Sequence, residues 1–149
     1  MCGDSASCPH HQAIALPAVG ADYFTKMCVR LVGEGGLMSE QALQARLNRQ
    51  GRPSNEVTAW LDQGVLRSIG WGTQRWLPMF QLSDEGCSLR PDVAAVAEEL
   101  VGAMDDLEIL AWFVCPNESL DRQTPLSSLR MRYRDVLEAA RVDHFLASA

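Results

Sequence analysis

The first helical pattern in the chain lies close to its N-terminus. Residues 21–32 place Phe24, Cys28 and Leu31 along one face, which is the spacing of an amphipathic helix. The glycines of residues 33–36 then end the pattern. We therefore expect one helix before the first glycine-rich turn.

A pair of short helices is predicted next. Ser39 can cap the first, Gly51 and Pro53 break the pattern, Ser54 can cap the second, and Gly64 ends it. The inward positions are Ala42, Leu43 and Leu47, then Val57, Trp60 and Leu61. Two short helices joined by a glycine-containing turn are typical of a helix-turn-helix. The same pattern also fits a helical hairpin that only packs.

The following segment has strand composition. Val, Ile, Trp and Phe are frequent, with Gly70 and Gly72 near the middle, which predicts strands near 65–69 and 74–81 in a β-hairpin. Pro78 predicts that the second strand lies at a sheet edge. A helix pair followed by a hairpin is a winged arrangement.

The last section of the chain is helical. Asp92 can cap a helix, a second helix is predicted over 106–114, a short one runs from Pro125 to Leu129, and a final one covers 133–146. Inward positions of the first are Val93, Val96, Ala97, Leu100, Val101 and Met104, and those of the last are Tyr133, Val136, Leu137 and Ala140.

These patterns predict a mainly α fold. A winged helix-turn-helix-like part with a small β-hairpin, over residues 20–82, is followed by a C-terminal helical domain over 83–149. Residues 1–19 are small, polar and aperiodic, and we expect a flexible tail.

Composition narrows the function. The 149 residues carry a net charge of −6, and only residues 38–81, with five arginines against three acids, are basic. Nucleic-acid contact would therefore have to be local. No stretch has the length and apolarity of a membrane span, and no secretory signal is evident, so we expect a cytoplasmic protein.

The cysteines and histidines predict no metal or cofactor site. Five scattered cysteines argue against a disulfide framework, and Cys28 and Cys115 have apolar neighbours typical of core residues. The possible zinc ligands of the tail are Cys2, Cys8, His10 and His11. No second spaced pair completes a known zinc pattern.

No catalytic constellation is evident. The acidic pairs at 98–99 and 105–106 are adjacent on helices, so their side chains diverge. There is no glycine-rich phosphate loop and no nucleophile elbow, and we expect the protein not to be an enzyme.

Candidate DNA contacts lie around the second helix of the pair. The N-terminal residues of a recognition helix reach base edges in the major groove, and arginines on the hairpin can reach the backbone. The candidates are Arg52, Ser54, Asn55, Thr58, Arg67 and Arg75.

One stretch of the helical section carries a spaced motif, W-x3-P-N-x2-L-x4-P-x3-L. Its members are Trp112, Pro116, Asn117, Leu120, Pro125 and Leu129. This spacing resembles the C-terminal toxin-binding domain of Xre/MbcA/ParS-type antitoxins. "PMFQL" at 78–82, then Gly86 and Pro91, also match that family's pattern, so the resemblance covers about residues 78–146.

The resemblance implies a function and partners. It implies an antitoxin that binds a RES-type, NAD-degrading toxin through the helical domain and covers its substrate cleft. It also implies a homodimer that binds operator DNA and represses its own operon. Polar residues of the motif loop without an evident packing role are the candidate partner contacts: Asn117, Glu118, Asp121, Arg122 and Gln123.

The chain departs from the family pattern at one place. Asp121-Arg122 stands where a glycine is usual, and arginine in a left-handed backbone conformation costs roughly 1 kcal/mol. A different loop shape would put the toxin partner in doubt. The alternatives are a stand-alone helix-turn-helix transcriptional regulator and a small structural or adaptor protein.

Overall fold

In the computed structural model, residues 25–149 are described, and they fall into two units, residues 25–90 and 91–149. The described chain is mainly helical, as the sequence predicted, and it contains a small three-stranded antiparallel sheet where a two-stranded hairpin was expected. The tail predicted over 1–19, with its cysteines and histidines, lies outside the described residues.

The first unit contains three helices, a three-stranded sheet and a 3-10 turn within its described residues. In chain order these are α1 (25–32), β1 (Leu37–Ser39), α2 (Glu40–Arg49), α3 (Glu56–Asp62), β2 (Ile69–Trp71), β3 (Gln74–Pro78) and the 3-10 turn Met79–Gln81.

The helix pair is capped differently from the prediction at its second member. Ser39 caps α2 as expected, since its Oγ accepts a bond from the Ala42 N–H at 3.1 Å. The N-cap of α3 is Asn55, which makes no side-chain cap bond, so the predicted Ser54 cap is wrong. Gln44 of α2 takes that role across the pair, because its Oε1 accepts from an α3 backbone N–H at 2.9 Å.

The sheet has the order β1-β3-β2, with both pairings antiparallel. Strand β3 is therefore central, and the prediction that Pro78 marks an edge strand is wrong. The sequence pattern missed β1, which is only three residues long. Pro78 is tolerated because it is the last residue of β3, opposite Leu37. The β2–β3 connection is a two-residue turn in which Gly72 takes a φ of 65°.

The core of this unit lies between the helix pair and the sheet. It is formed by Leu43, Leu47, Val57, Leu66, Leu77 and Leu82. The inward positions predicted from helical spacing in α2 and α3 contribute three of these residues, and Trp60 and Leu61 pack against them partly buried, but Ala42 is exposed and its inward prediction is wrong. Amphipathic spacing therefore located the buried faces of both helices.

The second unit is helical. Its elements are α4 (Pro91–Leu100), α5 (Asp106–Phe113), the 3-10 turn Glu118–Leu120, α6 (Pro125–Ser128) and α7 (Tyr133–Ser148). Helix α4 begins at Pro91, so Asp92 lies inside its first turn and not at the predicted cap position. Asp105 caps α5 and forms a reciprocal capping box with Glu108, with both bonds at 2.9 Å.

Helix α7 packs along α4. Val136 and Ala140 are fully buried, as predicted, but Tyr133 is 36% exposed, because it stands at the first turn of α7. Two polar contacts fasten the helices together. Arg141 lies 3.3 Å from the Glu99 carboxylate, and His144 Nδ1 lies 2.9 Å from the Glu99 carbonyl oxygen.

The cysteines partly contradict the sequence interpretation. Cys115 is buried, as expected, but it is disulfide-bonded, whereas Cys28 and Cys87 are free. Cys28 is half-buried, and this burial raises the pKa of its thiol. None of the helices within residues 25–149 combines the length and the apolar character that crossing a membrane requires.

Candidate functional site

The resemblance motif is organised around an acidic residue that lies outside it. The Trp112 indole N–H donates to Asp143 Oδ2 at 2.7 Å, and the Asn117 side-chain amide donates to the same oxygen at 3.0 Å. Trp112 is at the end of α5 and Asp143 is on α7. One carboxylate oxygen of α7 therefore holds both the end of α5 and the loop that follows it.

Asn117 also fixes the shape of that loop. Its main-chain N–H donates to the Gln123 carbonyl, and its own carbonyl accepts from Leu120 and Arg122, all at 2.9 Å. Its side-chain oxygen accepts from the Ser119 N–H at 2.9 Å. Asn117 thus has a structural role in the loop, whereas the sequence had suggested that it had no packing role.

The loop departs from the usual backbone conformation at Asp121 and Arg122. Their φ values are 56° and 68°, so both residues are left-handed. A left-handed backbone costs a non-glycine residue roughly 1–2 kcal/mol, with Asp among the more tolerant types. The strain inferred for Arg122 from the sequence is therefore present. The loop nevertheless closes through its bonds to Asn117.

A cavity of about 320 Å³ opens beside this loop, within the second unit. Its lining comes from α5, the start of the motif loop and the C-terminal half of α7. The charged residues that line it are all acidic: Glu108, Glu118 and Asp143. Its apolar walls include Ala111, Pro116, Val142 and Leu146.

Helix α7 presents an apolar surface next to the cavity. Val142, Phe145 and Leu146 are 44%, 72% and 63% exposed, and their i, i+3, i+4 spacing puts them on one side of the helix. We call these three residues the α7 edge. Isolated exposed apolar residues need no explanation, but a contiguous group beside a cavity is typical of an interaction site.

The five predicted partner contacts differ in their availability. Asn117 is half-buried and lines the cavity with Glu118, while Asp121, Arg122 and Gln123 are exposed. The Glu118–Arg122 pair is separated by 3.9 Å between highly exposed groups, so it adds little stability.

Sequence reasoning missed Asp143 and the α7 edge. The sequence does indicate an inward position for Asp143, because this residue continues the i, i+4, i+7 series of Val136 and Ala140. A carboxylate at an inward helical position needs donors, and Trp112 and Asn117 supply them.

The predicted DNA contacts in the first unit are largely engaged within the protein. Arg67 is only 5% exposed, so its side chain is not on the surface where DNA contact was expected. Arg75 makes a bidentate pair with Glu40 at 2.8 and 2.9 Å. Arg52 bonds Glu56 at 2.7 Å, and this hydrogen bond is the largest cause that raises its pKa.

The remaining candidates Ser54, Asn55 and Thr58 are exposed at the start of α3. That helix carries Glu56 and Asp62 and no basic residue. The structure thus places these polar side chains beside the acidic residues of α3, and the nearby Arg52 and Arg75 already have acidic partners.

Gln81, from the "PMFQL" element, has a role within the first unit. It is buried, its Oε1 accepts from the Arg67 main-chain N–H at 2.9 Å, and its amide donates to the Arg67 and Pro78 carbonyls at 2.8 and 3.1 Å. The Gln81 side chain therefore supplies hydrogen-bond partners for the main-chain N–H and carbonyl of Arg67, which lies before β2 and outside the sheet.

No group of three or more potential metal ligands is clustered within residues 25–149. Comparison of the chain with protein-family models, with curated proteins and with solved structures gives no significant match.

Proposed function

We propose that the second unit is a protein-binding module and that the chain is an antitoxin, which neutralises a RES-type, NAD-degrading toxin by direct binding. The observation that carries the proposal is the α7 edge beside the cavity, with the motif residues Trp112 and Asn117 joined behind it through Asp143. The residues of the resemblance motif thus support a surface and not merely a turn.

The surface has the properties of a recognition site for protein. It combines exposed apolar side chains with a neighbouring cavity whose apolar walls carry three acidic groups, which is the mixture found at the centre and rim of interfaces. The bonds around Asn117 hold the loop in one shape before a partner arrives, which lowers the ordering cost of binding.

We further propose that the first unit binds operator DNA and represses the operon. The order of elements in this unit, a helix, a strand, two helices and a hairpin, supports a winged helix-turn-helix. Ser54, Asn55 and Thr58 remain the candidate base contacts. Because a single small module buries little surface on DNA, operator binding calls for a homodimer.

Co-expression with the product of the adjoining gene tests the antitoxin proposal. The unmodified chain should restore growth and keep the cellular NAD level normal. Leu146→Asp, in the α7 edge, should abolish that rescue. Met131→Asp is the matched control, because Met131 is 86% exposed and does not line the cavity. An adjoining gene whose product is harmless, or a rescue that survives Leu146→Asp, would reject the proposal.

A gel shift with the upstream region tests the DNA proposal. Asn55→Ala and Thr58→Ala should each weaken the complex, whereas Gln41→Ala on the exposed side of α2 should not. Equal affinity of all three variants would remove α3 as the recognition helix.

The second candidate is a stand-alone transcriptional regulator. It is favoured by Asp121 and Arg122, whose charged, exposed side chains stand where the family that the motif resembles usually has a glycine. It predicts operator binding by the chain and an adjoining gene that encodes no toxin.

A further inference from the structure

The acidic charge of the cavity beside the α7 edge determines which kind of side chain it can bind. We propose that it takes an arginine side chain of the protein partner, presented from a segment whose apolar residues pack on the α7 edge. This inference rests on the proposed function and names the chemistry of the partner's contact.

The apolar part of the surface joins the α7 edge to the cavity. Val142 and Leu146 line the cavity and also belong to the α7 edge, so the edge and the cavity form one continuous surface. Phe145, 72% exposed, extends it outward. A partner segment that covers this edge removes it from water and has the cavity within reach of its side chains, because Val142 and Leu146 belong to both.

The charge of the cavity selects a cation. Glu108, Glu118 and Asp143 contribute carboxylates, and no lysine or arginine is found among the described residues that line it. Arg122, outside the lining, forms a weak, exposed pair with Glu118 at 3.9 Å, so Glu108 and Asp143 carry most of the acidic character. An acidic partner group or a nucleic-acid phosphate would be repelled there, because like charges at close range are destabilising. A partner with a basic side chain is complementary.

Asp143 is the best-positioned acceptor. Its Oδ2 already accepts two hydrogen bonds, from Trp112 and Asn117, which fix the plane and direction of the carboxylate. Within residues 25–149, both hydrogen bonds that the structure gives for the Asp143 side chain end on Oδ2, and neither uses Oδ1. A fixed carboxylate with an open oxygen loses little side-chain entropy when a donor reaches it.

Arginine suits the cavity better than lysine. Its guanidinium is planar and more weakly hydrated than an ammonium, so it enters a partly apolar site at lower cost. Its stem can lie along Pro116 and Val142 while its head reaches Asp143. The volume of about 320 Å³ lies at the lower limit of small-molecule pockets, which suits a single side chain more than a large cofactor.

A direct test uses the full chain, labelled with ¹⁵N, and a short acetylated helical peptide with one central arginine flanked by leucines. The Trp112 indole N–H, bonded to Asp143, is the reporter, and Trp112→Phe identifies its resonance among the four tryptophans. The matched control peptide carries citrulline, which has the shape of arginine without its charge.

The arginine peptide should shift the Trp112 resonance in a saturable manner, and the citrulline peptide should bind at least about tenfold more weakly. Asp143→Asn should reduce the affinity of the arginine peptide by a similar factor and leave the citrulline peptide unaffected. Glu118→Gln removes another lining carboxylate, at a side chain that is 87% exposed, so no folding cost is expected. This variant should weaken the arginine peptide and leave the citrulline peptide unaffected.

Equal binding of the two peptides, or no response of Trp112, would overturn the assignment. A Trp112 shift that appears when the protein alone is concentrated would also overturn it by identifying a second copy as the occupant. The peptide experiment does not require a toxin, so its outcome is separate from that of the co-expression assay.

Discussion

Replacement of Asp143 by alanine is the sharpest test of the hydrogen-bond arrangement in the cavity wall. The change removes an acceptor on which two donors converge, at 2.7 Å from Trp112 and 3.0 Å from Asn117. Trp112 is only 4% exposed, so its indole N–H would be left without a partner. Asn117 is half-buried and its amide can turn towards water.

The expected loss of stability follows from these environments. A hydrogen bond to a charged group contributes about 1.5–3 kcal/mol, and a buried donor left unsatisfied costs about 1–3 kcal/mol. The Trp112 bond therefore dominates, and we expect Asp143→Ala to destabilise residues 91–149 by about 2–4 kcal/mol. Asp143→Asn keeps an acceptor without the charge and should cost about 1 kcal/mol.

The assay must follow the second unit by itself, since a chain with two units need not unfold in one step. A urea titration followed residue by residue in ¹H–¹⁵N spectra provides this, with Val136 as a buried reporter in α7. A double-mutant cycle with Trp112→Phe isolates the indole–carboxylate bond. If the free energy of unfolding of the second unit in Asp143→Ala lies within about 0.5 kcal/mol of the unmodified protein, the stabilising role of Asp143 is refuted. An absence of coupling between the two changes in the cycle would refute it as well.

Three further predictions concern other sites. Gln81→Met keeps the side-chain volume but leaves the main-chain groups of Arg67 without partners, and should destabilise the first unit by about 2–4 kcal/mol in the same urea titration. Arg122→Gly should stabilise the second unit by about 0.5–1 kcal/mol, because glycine tolerates the φ of 68°, while Arg122→Ala should change little. Alkylation of Cys28 at pH 8 should be slower than that of a cysteine in an unstructured peptide, because burial raises the pKa of its thiol and lowers the thiolate fraction, and the two rates should converge in denaturant.

Hydrophobic spacing predicted the helices well because their buried faces are long enough to show a period. Helices α5 and α7 were located to within about two residues at each end, and the inward leucines of α2 are fully buried. Strand β1 escaped detection because three residues are too few to establish a period. The edge position predicted for β3 from Pro78 was wrong because β1 pairs with that strand on its other side.

The site residues were harder to predict because their roles depend on partners distant in sequence. Arg67 and Arg75 look alike in the sequence, yet one is buried and the other pairs with Glu40, 35 residues away. Asn117 was selected as a free polar residue, and its tie to Asp143 crosses 26 residues. Local patterns identify which residues are polar, but not which of them the fold engages.

The most direct test of the central claim is the affinity of the purified chain for the purified product of the adjoining gene, measured by titration calorimetry. We predict a complex that Leu146→Asp weakens by at least about a hundredfold, as expected for an apolar anchor at the centre of an interface, and that Met131→Asp leaves unchanged. No complex, or equal affinities of the two variants, would contradict the assignment of the α7 edge as the partner-binding surface.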